Sequence, residues 1–234
     1  MILIFLFTMV ISLAAMARVK LAYARWSKVP AASGYTGARC AESILRSSGI
    51  NDVEIVAGDS MLGDHYDPMR RQLVLSPENY QGNSVAALGI AAHECGHAIQ
   101  HQQAYAPLHW RMAAVGATTY ANQVVTFLPL LFFFTGGLGG FLHVEPATYM
   151  LLMAAAWGVI MLFNLVTLPV EFDATRRAKV ILGQMHFLTS PEEKKGVDKV
   201  LDAAALTYVA AFISSLLYML YYLLPLILGG RRND

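Results

Sequence analysis

Uncharged, apolar residues are gathered in long blocks along this chain, and polar residues fill the stretches between them. No Asp, Glu, Lys or Arg occurs in residues 1–17 or 203–230, and only Glu145 occurs in residues 112–170. A helix needs about 20 apolar residues to cross a membrane, so the middle block is long enough to cross twice. The pattern predicts four membrane spans, at residues 2–17, 114–136, 148–169 and 204–228.

The composition agrees with this pattern, since 56% of the residues are hydrophobic and 14% are charged. The first block lacks the positively charged start of a secretory signal, so we expect a retained anchor. We predict a mainly α membrane protein with an anchor at 1–17, a soluble region at 18–112, a membrane hairpin at 113–170, a second soluble segment at 171–203 and a last membrane helix at 204–230.

Lys and Arg residues are concentrated in the two soluble regions and are lacking from the loop at 137–147. Because such residues favour the cytoplasmic side of a membrane, we expect both soluble regions to be cytoplasmic and the loop to lie outside. Arg231 and Arg232 would then also lie outside, against this rule.

The soluble regions are expected to form one α+β domain. A helix is predicted from Ala38 to Arg46 or Ser48, and alternating residues predict strands at 53–56 and 72–76. We interpret the two strands as a hairpin. Ser84, or Asn83 before it, can cap a further helix that continues without proline as far as residue 106.

Within that last helix the chain reads His93-Glu94-Cys95-Gly96-His97. Residues four apart project from one helix face, so the two imidazoles can bind one metal ion. Glu94 can hold and deprotonate a water molecule that the metal polarises. The spacing predicts a zinc hydrolase site in a zincin-like domain; hydrogen-bonded core histidines with a surface glutamate are the structural alternative. An edge strand beside such a site can hold an extended peptide by main-chain pairing.

A catalytic zinc ion usually has three protein ligands and leaves one position to water. Gln103 stands where metzincins have their third histidine, and His101 lies too far from His93, about 12 Å along the helix, to share an ion with it. The remaining candidate is Glu171, which we expect to open a helix just after Pro169. Two predicted crossings separate Glu171 from the motif, so both emerge on the same face of the membrane.

Five segments resemble the YugP-type neutral zinc metallopeptidases of bacteria: Asp64–Pro68, Leu88–Glu94, Tyr105–Pro107, Leu168–Ala174 and Leu201–Ala211. The resemblance covers nearly the whole chain. It implies a multi-pass zinc peptidase of the bacterial cell membrane that binds one Zn²⁺ ion per chain. The more distantly similar gluzincin membrane proteases have a Glu-x-x-x-Asp motif whose aspartate orients a ligand histidine. Here Thr175 takes the aspartate position, so Asp173 or Asp202 is the candidate for that role.

These features together predict a membrane-bound zinc endopeptidase whose active site lies on the cytoplasmic face. His93, His97 and Glu171 would bind the metal, and Glu94 would be the catalytic base. The substrates would be membrane or membrane-associated proteins, processed or removed in quality control. The bilayer is an expected contact, and a membrane-protein partner or a second copy of the chain is compatible with the pattern.

Several other residues have roles to test. His65, Tyr66 or His186 would stabilise the oxyanion that develops on the substrate carbonyl. The net charge of +1 arises from intermixed basic and acidic residues without a basic stripe, so no nucleic-acid partner is expected. The two cysteines, Cys40 and Cys95, lack the spacing of a zinc ribbon, and a cytoplasmic location disfavours a disulfide between them.

Two other functions are consistent with parts of the sequence. Site-2-type intramembrane proteases also have this motif, but on a helix that itself crosses the membrane; here only the eight residues 85–92 form an apolar stretch before His93. A non-enzymatic membrane adaptor with a vestigial metal site is the second alternative. The intact Glu94 disfavours the adaptor, because a structural metal site has no use for a general base.

Overall fold

The computed structural model describes residues 1–59, 63–136 and 145–229. In the described part there are seven α-helices: α1 Ile2–Trp26, α2 Gly37–Ser47, α3 Pro77–Gln81, α4 Val85–Gln102, α5 Ala106–Gly136, α6 Pro146–Gln184 and α7 Pro191–Gly229. The same described residues contain three strands: β1 Glu54–Ala57, β2 His65–Asp67 and β3 Gln72–Leu75. Most of the predicted outer loop, and Arg231 and Arg232, lie outside the described residues.

Among these residues, four helices are long and apolar enough to cross a membrane: α1, α5, α6 and α7. Their number and order agree with the four predicted spans. The helices continue well beyond those spans, however, since α6 and α7 have 39 residues each. The apolar spans and the polar segments beside them are therefore parts of the same continuous helices.

The prediction that a new helix opens at Glu171 is wrong. Pro169 lies inside α6, which continues through it to Gln184. Proline has no backbone N–H and usually breaks a helix in water, but apolar membrane helices tolerate it more readily. Glu171 is thus held by a helix that already has more than six turns before it.

The chain divides into two compact units. The first, called the helical unit, consists of Met1–Ser12, Trp110–Thr167 and Tyr208–Asp234. Inside it, Trp157 stacks on Tyr218 with ring centroids 4.5 Å apart. The Asn164 side chain donates hydrogen bonds to the Ala211 carbonyl and the Ser215 hydroxyl, at 3.2 and 3.1 Å. The polar side chain of Asn164 is thereby satisfied by the neighbouring helix, as an apolar surrounding requires.

The second unit, called the site unit, consists of Leu13–His109 and Leu168–Thr207. The helix α4 passes through its core, where Val85, Leu88 and Ala92 are fully buried. Ser84 caps α4 as predicted, because its hydroxyl accepts a hydrogen bond from the Ala87 N–H at 3.1 Å. The buried apolar start of α4 fixes the position of the polar motif that follows it.

The small sheet of the site unit differs from the prediction. Its strand order is β1-β3-β2. The two predicted strands, β1 and β3, pair in parallel and do not form a hairpin; the antiparallel pair is β2 with β3. Residues 58–71 are long enough for the crossover that parallel pairing requires. Asp67 ends β2 by accepting hydrogen bonds from the backbone N–H groups of Met69 and Arg70, which makes the tight turn into β3.

Candidate metal centre

Three predicted ligands come together in the site unit, where α4 packs against the middle of α6. The donor atoms of His93, His97 and Glu171 all lie within 4.8 Å of one another. One carboxylate oxygen of Glu171 lies 3.3 Å from Nε2 of His93 and 3.6 Å from Nε2 of His97. The Glu171 side chain is 2% exposed and the two histidine side chains are 14% and 12% exposed, so the cluster opens to solvent on the histidine side.

These separations fit a zinc ion. Zinc binds imidazole nitrogen and carboxylate oxygen at about 2.0–2.2 Å, so neighbouring donors in a tetrahedral site lie about 3.3–3.6 Å apart. Both Glu171–histidine separations are in that range. Two nitrogen donors and one oxygen donor are also the ligand set of many catalytic zinc sites, which leave the fourth position to water.

Gln100 fixes the ring of His97. Its side-chain oxygen lies 3.1 Å from Nδ1 of His97, and its amide nitrogen donates to the Val170 carbonyl at 2.8 Å and to the Asp173 carboxylate at 3.0 Å. If the amide were reversed, its oxygen would face the Val170 carbonyl and the Asp173 carboxylate, which are also acceptors. The orientation with the amide nitrogen on that side is therefore the favourable one. Nδ1 of His97 therefore carries the proton, and the lone pair of Nε2 is directed at Glu171.

Asp173 supports this arrangement from α6. Its carboxylate accepts hydrogen bonds from Arg176 and Arg177 on the same helix, in addition to the one from Gln100. Arg177 also donates to the Gln103 side chain at 2.7 Å, at the end of α4. The sequence suggested that Asp173 could orient a histidine. In the structure Asp173 contacts Gln100, and Gln100 in turn contacts His97.

Thr175 lies beside Nδ1 of His93, as Gln100 lies beside Nδ1 of His97. Its hydroxyl oxygen lies 3.3 Å from Nδ1 of His93, on the side of the ring opposite Glu171. When the hydroxyl oxygen accepts a hydrogen bond from the Nδ1–H group of His93, the lone pair of Nε2 faces Glu171, as it does in His97. The threonine that replaces the expected aspartate thus contacts the ligand histidine directly.

Gln100 and Thr175 were not among the predicted site residues, although each stands at a helical spacing from a predicted ligand. Gln100 is three residues after His97 on α4, and Thr175 is four residues after Glu171 on α6. Such pairs share a helix face. A polar residue at either spacing from a predicted ligand is a candidate to orient that ligand or its neighbour.

The three hydrogen-bond acceptors that meet in the site, Nε2 of His93, Nε2 of His97 and the Glu171 carboxylate, give it an affinity for positive charge. With the Nδ1 protons directed at Thr175 and Gln100, two nitrogen lone pairs and a carboxylate face one another, and a cation or a proton is needed between them. Burial alone lowers the pKa of His97, but its contact with Glu171 and the nearby charge of Glu94 outweigh this effect and raise the pKa. The cluster therefore attracts positive charge.

Glu94 follows His93 on α4 and is 7% exposed. It lies close enough to His97 for its charge to raise the pKa of that imidazole. A carboxylate beside the three donor atoms, and not one of them, is the position that a base acting on a metal-polarised water requires. Cys95, the next residue, points away into the core, where its thiol contacts the Ala41 carbonyl.

The structure places the other predicted residues elsewhere. His65 is exposed, and its ring contacts the Gly63 carbonyl at 2.6 Å. The Tyr66 hydroxyl is hydrogen-bonded to His101 at 2.9 Å, beside a cavity of about 430 Å³ that both residues line. His186 lies beyond the end of α6, which closes 13 residues after Glu171, or about 20 Å along the axis.

Asp202 is also separate from the three donors. Its side chain is 62% exposed and pairs with Lys179 at 2.7 Å. The suggested roles, orientation of a ligand histidine by Asp202 and stabilisation of the oxyanion by His186, stay predictions. The two cysteines, Cys40 and Cys95, are buried and free.

Comparison with known proteins gives two matches over almost the full chain. Residues 1–227 match the model of a family described as "Putative neutral zinc metallopeptidase". The chain is also 42% identical over 217 residues to a Bacillus subtilis (strain 168) protein named "Putative membrane protease YugP", covering 93% of this chain and 92% of that protein. No solved structure matches the chain.

Proposed function

This chain belongs to the neutral zinc metallopeptidase family, and we propose that it is a membrane zinc endopeptidase whose single zinc ion is held by His93, His97 and Glu171. The observation that carries the proposal is the convergence of their three donor atoms within 4.8 Å. The hydrogen bonds of Thr175 and Gln100 on the outer sides of the two imidazoles support it, because they leave both Nε2 lone pairs available.

The catalytic steps assigned to this chain use Glu94. When bound, zinc would supply Lewis acidity, which lowers the pKa of a coordinated water and polarises the substrate carbonyl. Glu94 accepts the proton of the attacking water and delivers it to the leaving amine. The position of Glu94 next to His93, and its charge effect on His97, support this assignment.

The substrate is proposed to bind as an extended peptide along β2. This strand is at the edge of the sheet, so one side of its backbone can pair with a peptide. Tyr66 on β2 contacts His101 on α4, one helical turn beyond His97. The edge strand therefore lies beside the helix that holds the candidate site, and a peptide paired with it would pass close to that helix.

We also propose that the site faces the cytoplasm and that the substrates are membrane or membrane-associated proteins, cleaved in quality control or processing. The distribution of Lys and Arg supports this orientation. The four apolar helices support a membrane location, and the Bacillus subtilis relative is also named as a membrane protein. A site attached to a bilayer meets such substrates first.

The site-2-type alternative has less support. The motif helix α4 is not among the four membrane-span candidates found in the described residues. Its apolar residues are instead buried in the core of the site unit. An intramembrane protease of that type would need its motif on a spanning helix.

The test is the substitution Glu94→Gln in the full-length protein, purified in detergent and loaded with zinc. We expect it to keep its zinc and to lose hydrolysis of a casein substrate by about 10²–10⁴-fold, the usual contribution of a general base. Glu42→Gln, on the exposed part of α2, is the matched control and should keep full activity. Activity of Glu94→Gln equal to that of the control would remove Glu94 from the mechanism.

A further inference from the structure

A second polar feature lies on the site unit, between the last turns of α1 and the first turns of α7. It is a groove of about 640 Å³. Four basic residues line it, two from each helix: Arg18, Arg25, Lys195 and Lys199. Apolar side chains line it as well, among them Leu21 and Leu206. The proposed peptidase mechanism uses none of these residues.

The groove is located where both helices change from uncharged to charged sequence. Residues 1–17 carry no charge, and Arg18 is the first charged residue of α1. On α7, Asp202 is the last charged residue before the uncharged residues 203–230. Both Arg18 and Asp202 line the groove. In a membrane helix, such a change of sequence marks the level of the lipid headgroups.

Positive charge is in excess in the groove. Its three acidic residues are Glu192, Asp198 and Asp202. Lys179, which reaches the same place from α6, pairs with Asp198 at 3.1 Å and with Asp202 at 2.7 Å. In the described part of the chain, none of the four basic groove residues forms a salt bridge within 4.0 Å. They are therefore available to an anion from outside the protein.

The apolar lining is exposed in the same place. Leu21 is 71% exposed and lies about one helical turn from Arg18. Leu206 is 37% exposed and lies about one helical turn from Asp202. An inorganic anion gains nothing from these side chains. A ligand with an anionic head and hydrocarbon tails contacts both the cations and the leucines.

We propose that this groove binds the headgroup of an anionic phospholipid. The lipid phosphate lies among Arg18, Arg25, Lys195 and Lys199, and the acyl chains contact Leu21 and Leu206. A bound lipid of this kind joins the first and last long helices at one level of the membrane. The inference does not depend on peptidase activity or on which side of the membrane the site unit faces.

The test uses the full-length protein, stripped of lipid in a neutral detergent, and measures its thermal midpoint as lipid is added. Phosphatidylglycerol should raise the midpoint in a saturable way, whereas phosphatidylcholine and inorganic phosphate should not. The variant Arg18→Gln/Lys199→Gln should need at least tenfold more phosphatidylglycerol for the same shift. If it does not fold, Arg25→Gln/Lys195→Gln takes its place, and intact thermal unfolding without lipid shows that a variant is folded.

The matched control is Lys20→Gln/Lys194→Gln, which removes the same charge from the same two helices at exposed positions that do not line the groove. It should respond to phosphatidylglycerol as the wild type does. An equal loss in the control would show diffuse attraction without a site, and an equal shift with phosphate or phosphatidylcholine would show that an anionic lipid is not the ligand. Each of these results overturns the proposal.

Discussion

Gly96 on α4 lies directly against the backbone of Ala174 on α6. A β-carbon built at Gly96 would be 2.8 Å from the Ala174 carbonyl oxygen and 3.0 Å from its α-carbon. Both distances are at or inside the limit for contacts that real side chains make. This close approach is located between His93 and His97 on one helix and beside Glu171 on the other. The glycine of the motif thus determines how near Glu171 comes to the two histidines.

Gly96→Ala is therefore expected to push α4 and α6 apart and to weaken zinc binding. Overpacking of this kind typically costs about 1–3 kcal/mol of stability, because backbone atoms have to move. The matched control is Gly89→Ala on the same helix, whose new β-carbon would be 3.5 Å from Val197, an ordinary contact. Thermal unfolding and zinc titration of both variants check this. Equal zinc affinity in the two variants would contradict it.

Gln100→Leu removes the side chain that orients His97. The His97 ring would lose its acceptor, and Asp173 and the Val170 carbonyl would lose a donor. Loss of such a supporting group typically lowers metal affinity by about 10–100-fold. Gln102→Leu is the control, since within the described residues the Gln102 side chain donates one hydrogen bond, to the Gly49 carbonyl at 3.5 Å. Competition with a zinc chelator measures both, and a wild-type affinity in Gln100→Leu would show that the hydrogen bond has no influence on the metal.

Zinc affinity should depend on pH through His97. Its pKa is raised in the metal-free protein, while zinc binds only the deprotonated imidazole. Zinc therefore displaces a proton below the raised pKa, and apparent affinity falls as the pH is lowered further. Above that pKa the contribution of His97 is constant. Chelator competition from about pH 8 down to about pH 5.5, a range that brackets the ordinary histidine pKa, should show this decline; a flat profile would contradict it.

The local parts of this structure could be predicted from the sequence. The cap at Ser84, the buried start of α4 and the four apolar spans depend on neighbouring residues and on composition. The spacing of His93 and His97 follows from helix geometry. Glu171 could be chosen because the number of predicted crossings returned it to the same face as the motif.

Most of the errors concern relations between distant segments, whereas the one at Pro169 is local. The parallel pairing of β1 with β3 depends on a crossover of residues 58–71, and periodicity does not distinguish it from a hairpin. The prediction that Pro169 would start a helix applied a rule for water-soluble helices to a long apolar one. The role of Thr175, which takes the position of the expected aspartate, became clear only from its contact with His93.

Membrane orientation is predicted from the Lys and Arg residues of the two soluble regions. In a cysteine-free background, with Cys40 and Cys95 replaced, we expect a cysteine at Glu42 to be protected from an impermeant thiol reagent in intact cells. A cysteine at Gly139, in the predicted outer loop, should react. Glu42 is exposed on α2, so protection would reflect the membrane and not burial in the protein. The reverse labelling would place the site unit outside.

The zinc content of Glu171→Ala tests the central claim most directly. Loss of one of three ligands should weaken binding by about 3–5 kcal/mol, a share of the roughly 10–16 kcal/mol of a complete structural site. Asp202→Ala is the control, because Asp202 is exposed and pairs with Lys179. Elemental analysis of the purified full-length proteins should find about one zinc ion per chain in the wild type and in the control, and less than about a tenth of that in Glu171→Ala. Full occupancy in Glu171→Ala would show that Glu171 is not a zinc ligand and would contradict the account.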